Sequence, residues 1–193
     1  MHAREEITML KIRQATPKDA ARAAHICIET AEGIWRRSPK MEKITSLLFS
    51  AYYITHESHN CFVLEDSGKV VGYILCSADL HRFLKSYRGD IFRSIAKLSP
   101  LWGVACLFVP AKYVLLHRHY PAHLHIDILP PYQSAGYGSK LMETLLQHLK
   151  AQGVKGVCLS CGADNTRAIK FYEKYGFTAK LNAFGGKLMV KKL

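Results

Sequence analysis

The stretch from Ala122 to Leu149 constrains the fold most, because it changes from a strand pattern to a helix pattern within a few residues. The strand candidate has His123, His125 and Asp127 on one face and Leu124, Ile126 and Ile128 on the other. Pro130 and Pro131 end it, because proline has no N–H for a ladder hydrogen bond. Apolar residues then recur at helical spacing, namely Leu141, Met142, Leu145, Leu146 and Leu149.

The loop between this strand and this helix consists mainly of small residues and predicts an anion site. The first N–H groups of a helix have no partner within it, and the helix dipole favours negative charge there. Gly136 and Gly138 let the backbone approach a ligand. We therefore expect a phosphate or pyrophosphate over Ser134 to Ser139; an ordinary tight turn is the alternative. A Walker loop would need Lys140 directly after the glycine, and a dinucleotide fingerprint would need glycine in place of Leu141.

Two motifs in the C-terminal half resemble those of the GNAT superfamily of N-acyltransferases. The first is Gln-x-x-Gly-x-Gly after a strand and a proline, carried here by Gln133, Gly136 and Gly138. The second runs from Asn165 to Phe177 and is similar to N-x-x-A-x-x-F-Y-x-x-x-G-F at every named position. The central strand also looks like that of bacterial acetyltransferases akin to the acetyltransferase-like domain of some O-GlcNAc hydrolases.

The resemblance implies an α/β GNAT fold, with a central mixed, largely antiparallel sheet of six or seven strands flanked by helices. We expect a single N-acetyltransferase domain over residues 1–193, with a helical insertion at 78–121 before the central strand, covering the acceptor side. Nearer the N-terminus, apolar periodicity predicts one continuous helix from Lys40 to Thr55.

The resemblance also implies acetyl-CoA as co-substrate, with its pantetheine arm paired along the open edge of the central strand as an added strand. A backbone N–H near Ile128 would polarise the thioester carbonyl, Asn165 would contact the pantetheine arm, and Tyr172 would act as general acid toward the CoA sulfur. The predicted CoA-binding residues are Ile126, Asp127, Ile128, Gln133, Ser134, Ala135, Gly136, Tyr137, Gly138, Ser139, Asn165 and Tyr172.

The general base is the part of the site that the sequence leaves open. Some family members carry a glutamate five residues before the asparagine, and Ser160 occupies that position here. We rank His125 first, then Asp127, then His123. Both histidines fall one residue away from the family's count, a shift that a β-bulge would absorb. Deprotonation through a chain of waters is the alternative.

Two further patterns raise a metal hypothesis, although we expect no metal. His117, His119, His123 and His125 form two His-x-His pairs that suit zinc or nickel. Cys158 and Cys161 form a CxxC inside a predicted strand. No acid or second cysteine pair completes either set at a known spacing. Polar packing, a place in the acceptor pocket and small apolar thiols are the alternative interpretations.

The predicted insertion has a helix-like part, His81 to Leu98, and a very apolar part, Leu101 to Leu116. The apolar part is too short and too interrupted to span a bilayer. We expect a buried structural role, with part of the insertion lining the acceptor pocket; helices packed only on the sheet edge, or a lipid- or partner-facing patch, are the alternatives. Further acceptor contacts are predicted at Trp35, Arg36 and Arg37, unless this segment is a solvated loop anchored by its tryptophan.

Composition narrows the class of function. The chain is 49% hydrophobic and 22% charged, as expected for an ordinary folded protein, and its net charge of +12 suits an anionic ligand such as CoA. The leading hypothesis is a cytoplasmic N-acetyltransferase that acts on a primary amine, more readily on a small molecule than on a protein. A non-catalytic acyl-CoA-binding or regulatory domain, which Ser160 favours, and a basic nucleic-acid or membrane-surface binder are the alternatives. No signal peptide pattern or nucleic-acid module is visible, and a homodimer stays open.

Overall fold

The computed structural model describes residues 10–108, 113, 116–183 and 185–193. Within them, seven strands form one sheet in the order β1-β2-β3-β4-β5-β7-β6. All neighbours are antiparallel except β4 and β5. The strands are β1 (Leu10–Gln14), β2 (Phe62–Asp66), β3 (Lys69–Ser77), β4 (Ala122–Ile128), β5 (Gly156–Gly162), β6 (Thr178–Ala183) and β7 (Gly186–Lys192). The prediction of a mixed, largely antiparallel sheet of six or seven strands is confirmed.

Helices flank this sheet and bury one apolar stripe each. They are α1 (Ala20–Thr30), α2 (Pro39–Phe49), α3 (Ala51–Glu57), α4 (Leu80–Ser86), α5 (Phe92–Leu98), α6 (Pro100–Phe108), α7 (Tyr137–Ala151) and α8 (Thr166–Lys174). The five apolar residues predicted at helical spacing after the central strand are all buried in α7, which confirms the predicted apolar face of this helix.

The prediction of one continuous helix from Lys40 to Thr55 is wrong, because the helix is interrupted at Ser50. This residue lies between α2 and α3 with φ −131° and ψ −37°. Its hydroxyl donates to the carbonyl of Ser46 at 3.0 Å. A serine that bonds back to the preceding turn bends a helix, and periodicity alone does not reveal this.

The insertion is helical, as predicted, and consists of α4, α5 and α6 in the described residues. A π-helical turn, Tyr87–Ile91, joins α4 to α5, so the helix predicted from His81 to Leu98 has a wide turn at its centre. A Cβ at Gly103 would lie 2.8 Å from the Cβ of Ala96, so glycine lets α6 pack closely on α5. Most of the rest of the apolar part, residues 109–112 and 114–115, lies outside the described residues.

The outer face of α6 is uncovered in the described part of the chain. Its exposed apolar residues are Leu101, Val104, Leu107 and Phe108. Across the described residues, no helix is long and apolar enough to cross a membrane.

The buried carboxylate of Glu57 connects α3 to the end of β3, where the insertion begins. It accepts hydrogen bonds from the hydroxyls of Tyr52 (2.9 Å) and Ser77 (2.6 Å), from the side-chain amide of Asn60 (3.0 Å) and from the backbone N–H of Ala78 (2.8 Å). Four donors compensate the cost of burying this carboxylate. The network fixes the chain where it leaves the sheet.

We predict that Glu57→Gln destabilises the fold by about 2 kcal/mol or more, because the new amide group would turn N–H donors toward existing donors. Urea unfolding monitored by circular dichroism measures this change. Glu42, near the start of α2, provides the control, and Glu42→Gln should change the free energy of unfolding by no more than about 0.5 kcal/mol. Equal effects of the two substitutions would show that the network does not stabilise the fold.

Candidate active site

Strands β4 and β5 are joined only at one end. They pair at Ala122 with Val157 and at His123 with Cys158, and in the part of the chain that the structure describes no further pair joins them. Beyond these pairs, β4 continues to Ile128 along β3 while β5 continues along β7. The sheet therefore opens into a V-shaped gap with its apex at His123, as the resemblance implied.

The edge of β4 that faces this gap carries backbone groups available to a ligand. The N–H of Leu129, directly after β4, donates to the carbonyl of Val71 in β3 at 3.0 Å. Successive N–H groups of a strand point to opposite edges, so the N–H of Ile128 points away from β3 and into the gap. The same alternation places the N–H of Ile126 on the open edge.

The wide end of the gap meets the start of α7, where the loop exposes a run of backbone donors. Gly136 lies at φ +83° and Ser134 at φ +65°, which turns the chain sharply into the helix. The first helical hydrogen bond runs from Lys140 N–H to the Gly136 carbonyl at 3.1 Å. In the described part of the chain, the N–H groups of residues 134–139 make no backbone hydrogen bond. Such a cradle at a helix N-terminus suits a diphosphate.

A groove of about 640 Å³ runs from this cradle along β4. Ten of the twelve predicted CoA-binding positions line this groove. The lining residues include Ile126, Asp127, Ile128, Gln133, Ser134, Gly136, Gly138, Ser139, Asn165 and Tyr172. Ala135 and Tyr137 lie between lining residues in the loop, although they are not themselves part of the wall.

Two predicted CoA-binding side chains also hold the groove in shape. The Gln133 amide donates to the Ile128 carbonyl at 2.7 Å and ties the loop to the end of β4. Asn165 caps α8 by accepting the N–H of Ala168 at 2.9 Å. The Asn165 side-chain oxygen is therefore engaged, and its NH₂ group is the part left for a ligand.

Arg167, which is not a named position of either motif, lies beside the cradle. Its guanidinium donates to the Ser134 hydroxyl at 3.2 Å, and the side chain lines the groove. A guanidinium at this place complements a diphosphate. Its position two residues after Asn165, at the start of α8, is the sequence signal that could have identified it.

A second cavity, of about 440 Å³, occupies the apex of the gap on the side of the insertion. It borders His123, Leu124 and His125 of β4, whereas the groove borders the next three residues of the same strand. The groove and the cavity therefore adjoin between His125 and Ile126. Within the insertion, α6 contributes Trp102, Ala105 and Phe108 to the wall of this cavity; that the cavity receives the acceptor stays a prediction.

The structure separates the two candidate histidines. His123 is buried, and its Nδ1 and Nε2 lie 2.6 Å and 3.1 Å from the hydroxyls of Tyr53 and Tyr113. Both ring nitrogens are therefore engaged in the core. His125 is 24% exposed, with Nδ1 3.3 Å from the Tyr73 hydroxyl, and in the described residues its Nε2 has no hydrogen-bond partner.

The proposed bulge in the central strand is not formed. The β3–β4 register is unbroken from Gly72 opposite Ile128 to Ser77 opposite His123. The two histidines therefore occupy their positions in a regular strand. Ser160, at the family's glutamate position, lines the cavity and hydrogen-bonds the Tyr113 hydroxyl.

Asp127 is held beside His125 by a tyrosine that sequence analysis did not identify. The Tyr73 hydroxyl donates to Asp127 Oδ2 at 2.6 Å, and His125 Nδ1 lies 3.6 Å from the same oxygen. Burial raises the pKa of Asp127, while nearby His125 and the Tyr73 hydrogen bond act in the opposite direction. Burial, followed by the charge of Asp127, raises the pKa of Tyr73 well above its ordinary value.

Tyr172 lies on α8 with its ring packed edge-on against Phe171 and Phe177. In the described residues its hydroxyl makes no hydrogen bond, and the side chain lines the groove. Burial raises the pKa of Tyr172, so the phenol stays protonated and able to donate at neutral pH.

The donor atoms of Cys27, His125 and Asp127 lie within 4.8 Å of one another, which is close enough to share a metal ion. Burial raises the pKa of the Cys27 thiol to about 12, so at neutral pH a metal would first have to displace its proton. The earlier four-histidine hypothesis does not match this trio. In the described chain, His117 lies near His81 and His123 lies within the tyrosine cluster.

The Acetyltransferase (GNAT) family model matches residues 28–177. The chain belongs to this family. It is similar to the crystal structure of SsHAT, with a TM-score of 0.82 and 32% identity over 95% of this chain and 98% of the other. The resemblance stated from the two motifs is therefore confirmed.

Two curated relatives of this GNAT protein match over different lengths. Protein O-GlcNAcase of Rattus norvegicus is 27% identical over 90% of this chain, but the match spans only 21% of that longer protein. Spermine/spermidine N(1)-acetyltransferase of Bacillus subtilis is 38% identical over 32% of this chain and 43% of its own length. The expected likeness to the O-GlcNAc hydrolase region is thus found.

The predicted acceptor contacts near the end of α1 are partly brought to the cavity. Trp35 lines it. Arg36 instead donates to the Glu29 carbonyl at 3.0 Å, and neither Arg36 nor Arg37 belongs to the described cavity wall. The Trp35 ring therefore reaches the cavity, whereas the charged groups of Arg36 and Arg37 do not line its described wall.

Asn165 yields a prediction, because its two side-chain groups have separate tasks. Asn165→Asp keeps the capping oxygen but replaces the amide donor with a negative charge, so we expect unchanged melting and about tenfold weaker CoA binding. Asn165→Ala should additionally lose about 1 kcal/mol of stability with the cap. Calorimetric titration with CoA and thermal melting measure the two effects. Undiminished CoA binding by Asn165→Asp would show that the amide does not contact the ligand.

Asp127 yields a second prediction, which concerns stability against pH. Because its pKa is raised in the folded protein, the ionised carboxylate opposes folding above that pKa. Asp127→Asn should therefore melt at a higher temperature than the wild type at neutral pH. The difference should shrink as pH falls through the raised pKa and should vanish below the unfolded-state pKa. Asp90, whose side chain is 82% exposed, provides the control, and Asp90→Asn should show no such trend. A less stable Asp127→Asn at neutral pH would contradict the pKa shift.

Proposed function

We propose that this protein is an acetyl-CoA-dependent N-acetyltransferase that transfers the acetyl group directly from the thioester to a primary amine on a small molecule. One observation carries the proposal. The gap between β4 and β5 joins a cradle of amides, which make no backbone hydrogen bond in the described residues, to an aromatic-lined cavity, with one strand edge passing both. The diphosphate would lie on residues 134–139, the pantetheine arm along β4, and the amine in the cavity.

The reacting atoms would meet where the groove and the cavity adjoin, beside His125 and Ile126. The amine nitrogen attacks the thioester carbonyl, a C–N bond forms, the C–S bond breaks, and CoA leaves as a thiolate. The Ile128 N–H, which points into the gap, is the backbone donor proposed to stabilise the oxyanion. Tyr172, protonated and in the groove, is the donor proposed for the departing sulfur.

His125 is proposed as the general base, since its Nε2 has no partner in the described residues and its ring lines the cavity. Tyr73 and Asp127 are positioning residues that orient the ring through Nδ1. This arrangement supplies a base on β4 in place of the family's glutamate position, where Ser160 bonds Tyr113. It favours catalysis over the alternative of an acyl-CoA-binding domain without a base.

The substrates named for these relatives are not assigned to this chain. The spermine/spermidine acetyltransferase matches only 32% of this chain, and the O-GlcNAcase match covers about a fifth of that protein. The family uses acetyl-CoA, and the cradle and groove fit its diphosphate and arm.

Tyr172→Phe tests the proposed acid. We expect kcat for thiol release from acetyl-CoA to fall about 100-fold while the Kd for CoA changes less than about twofold, because the ring packing is kept and only the proton donor is lost. Tyr175, one turn further along and bonded to Glu143 at 3.0 Å, provides the matched control, and Tyr175→Phe should keep full turnover. Wild-type kcat in Tyr172→Phe would remove this tyrosine from the mechanism.

His125→Asn tests the base by its pH dependence. We expect turnover to fall about 100-fold near neutral pH and to recover as pH rises, because more of the amine is then already neutral and needs no base. His123→Asn should instead lower thermal stability, since it disturbs the buried tyrosine contacts. A constant ratio of mutant to wild-type rates across pH would contradict the assignment.

A further inference from the structure

The wall of the apex cavity consists almost entirely of rings and apolar groups. Its aromatic members are Trp35, Phe49, Phe83, Tyr87, Trp102, Phe108 and Tyr113, with His123 and His125 at the strand. The remaining described members are leucine, alanine, serine, cysteine and glycine. A volume of about 440 Å³ is enough for a small ligand, and an aromatic wall favours an apolar one.

Several of these aromatic rings pack against neighbouring rings in defined relative orientations. The Trp35 ring packs edge-on against Phe49, with 5.3 Å between ring centroids. It packs at a tilt against Trp102, with 5.6 Å between centroids. Phe83 stacks on the engaged imidazole of His123 at 5.1 Å. The first two contacts join α2 to α6 through Trp35, and the third joins α4 to β4, so the cavity offers preformed faces for stacking.

No carboxylate belongs to the described cavity wall. The stretches outside the described residues that adjoin wall residues in the sequence, 109–112, 114–115 and 184, contain no aspartate or glutamate. A second ammonium group, buried here with the body of a polyamine, would have no anionic partner, and burying an unpaired charge is costly. The reacting amine avoids this cost, because it must be neutral to attack and lies beside His125.

We infer that the acceptor is a monoamine whose single primary amino group is carried on an aromatic or apolar body, and that the cavity discriminates against polyamines. This inference rests on the proposed function and specifies its substrate class. The amino group lies at His125, where the cavity meets the groove, and the body lies between the walls of Trp102 and Phe83.

The experiment compares amines that differ by one feature. Pentylamine and cadaverine have the same chain and differ only in a second amino group; phenethylamine, spermidine and a lysine-containing peptide complete the panel. With acetyl-CoA saturating, we expect kcat/KM for pentylamine to exceed that for cadaverine on the order of 100-fold, with phenethylamine higher still. Equal or better use of cadaverine, spermidine or the peptide would overturn the inference.

A gain of function provides the second test. Ala105 lines the cavity from α6 and is exposed, so a longer side chain should be accommodated. Ala105→Glu should raise kcat/KM for cadaverine about tenfold relative to pentylamine, and its neutral control Ala105→Gln should not. Equal ratios in the two variants would contradict the charge argument.

These outcomes distinguish the inference from the proposed function. Turnover of spermidine or the peptide with poor use of pentylamine would reject the acceptor class while keeping the acetyltransferase. Intact CoA binding with no thiol release for any amine would reject both.

Discussion

The separation of β4 from β5 is the constraint on which the remaining features of the site depend. A fully paired sheet would engage the N–H groups of Ile126 and Ile128 in a ladder and leave no space for a linear ligand. Because the strands part after two residue pairs, one edge stays open beside a helix start with unbonded amides. The open edge of β4 therefore offers backbone groups with which a linear ligand that carries its own amides could pair as an added strand.

The insertion determines what lies at the apex of the gap. Glu57 fixes the point where the chain leaves β3, and Gly103 lets α6 lie closely on α5. Together they place aromatic side chains over the narrow end, while the wide end stays open to the cradle. The groove at the wide end is therefore polar and rich in backbone donors, whereas the cavity at the narrow end is aromatic. The two substrates would be recognised by different physical means.

The parts of the site that sequence predicts well are those built from local geometry. The cradle and the Asn165 cap each lie within a few residues of chain, so their motifs specify them directly. Tyr73 contacts Asp127 across 54 positions of sequence, and no local pattern contains that pairing. The break at Ser50 was missed for a related reason, because a side-chain hydrogen bond there competes with a helical periodicity that stays intact.

The two candidate bases on β4 show most clearly why counting along a motif is insufficient. His123 and His125 share a strand face and a residue type, and only the contacts made by other elements separate them. Tyrosines from α3 and from the insertion engage both nitrogens of His123, while His125 keeps one nitrogen toward the cavity. Asp127 lies beside His125, where its carboxylate would orient a protonated imidazole. Burial raises the pKa of Asp127, so ionisation of this carboxylate lowers the stability of the folded protein. This destabilising carboxylate lies where the groove and the cavity adjoin. Its retention at that place is consistent with selection for a chemical role of Asp127, and not for stability alone.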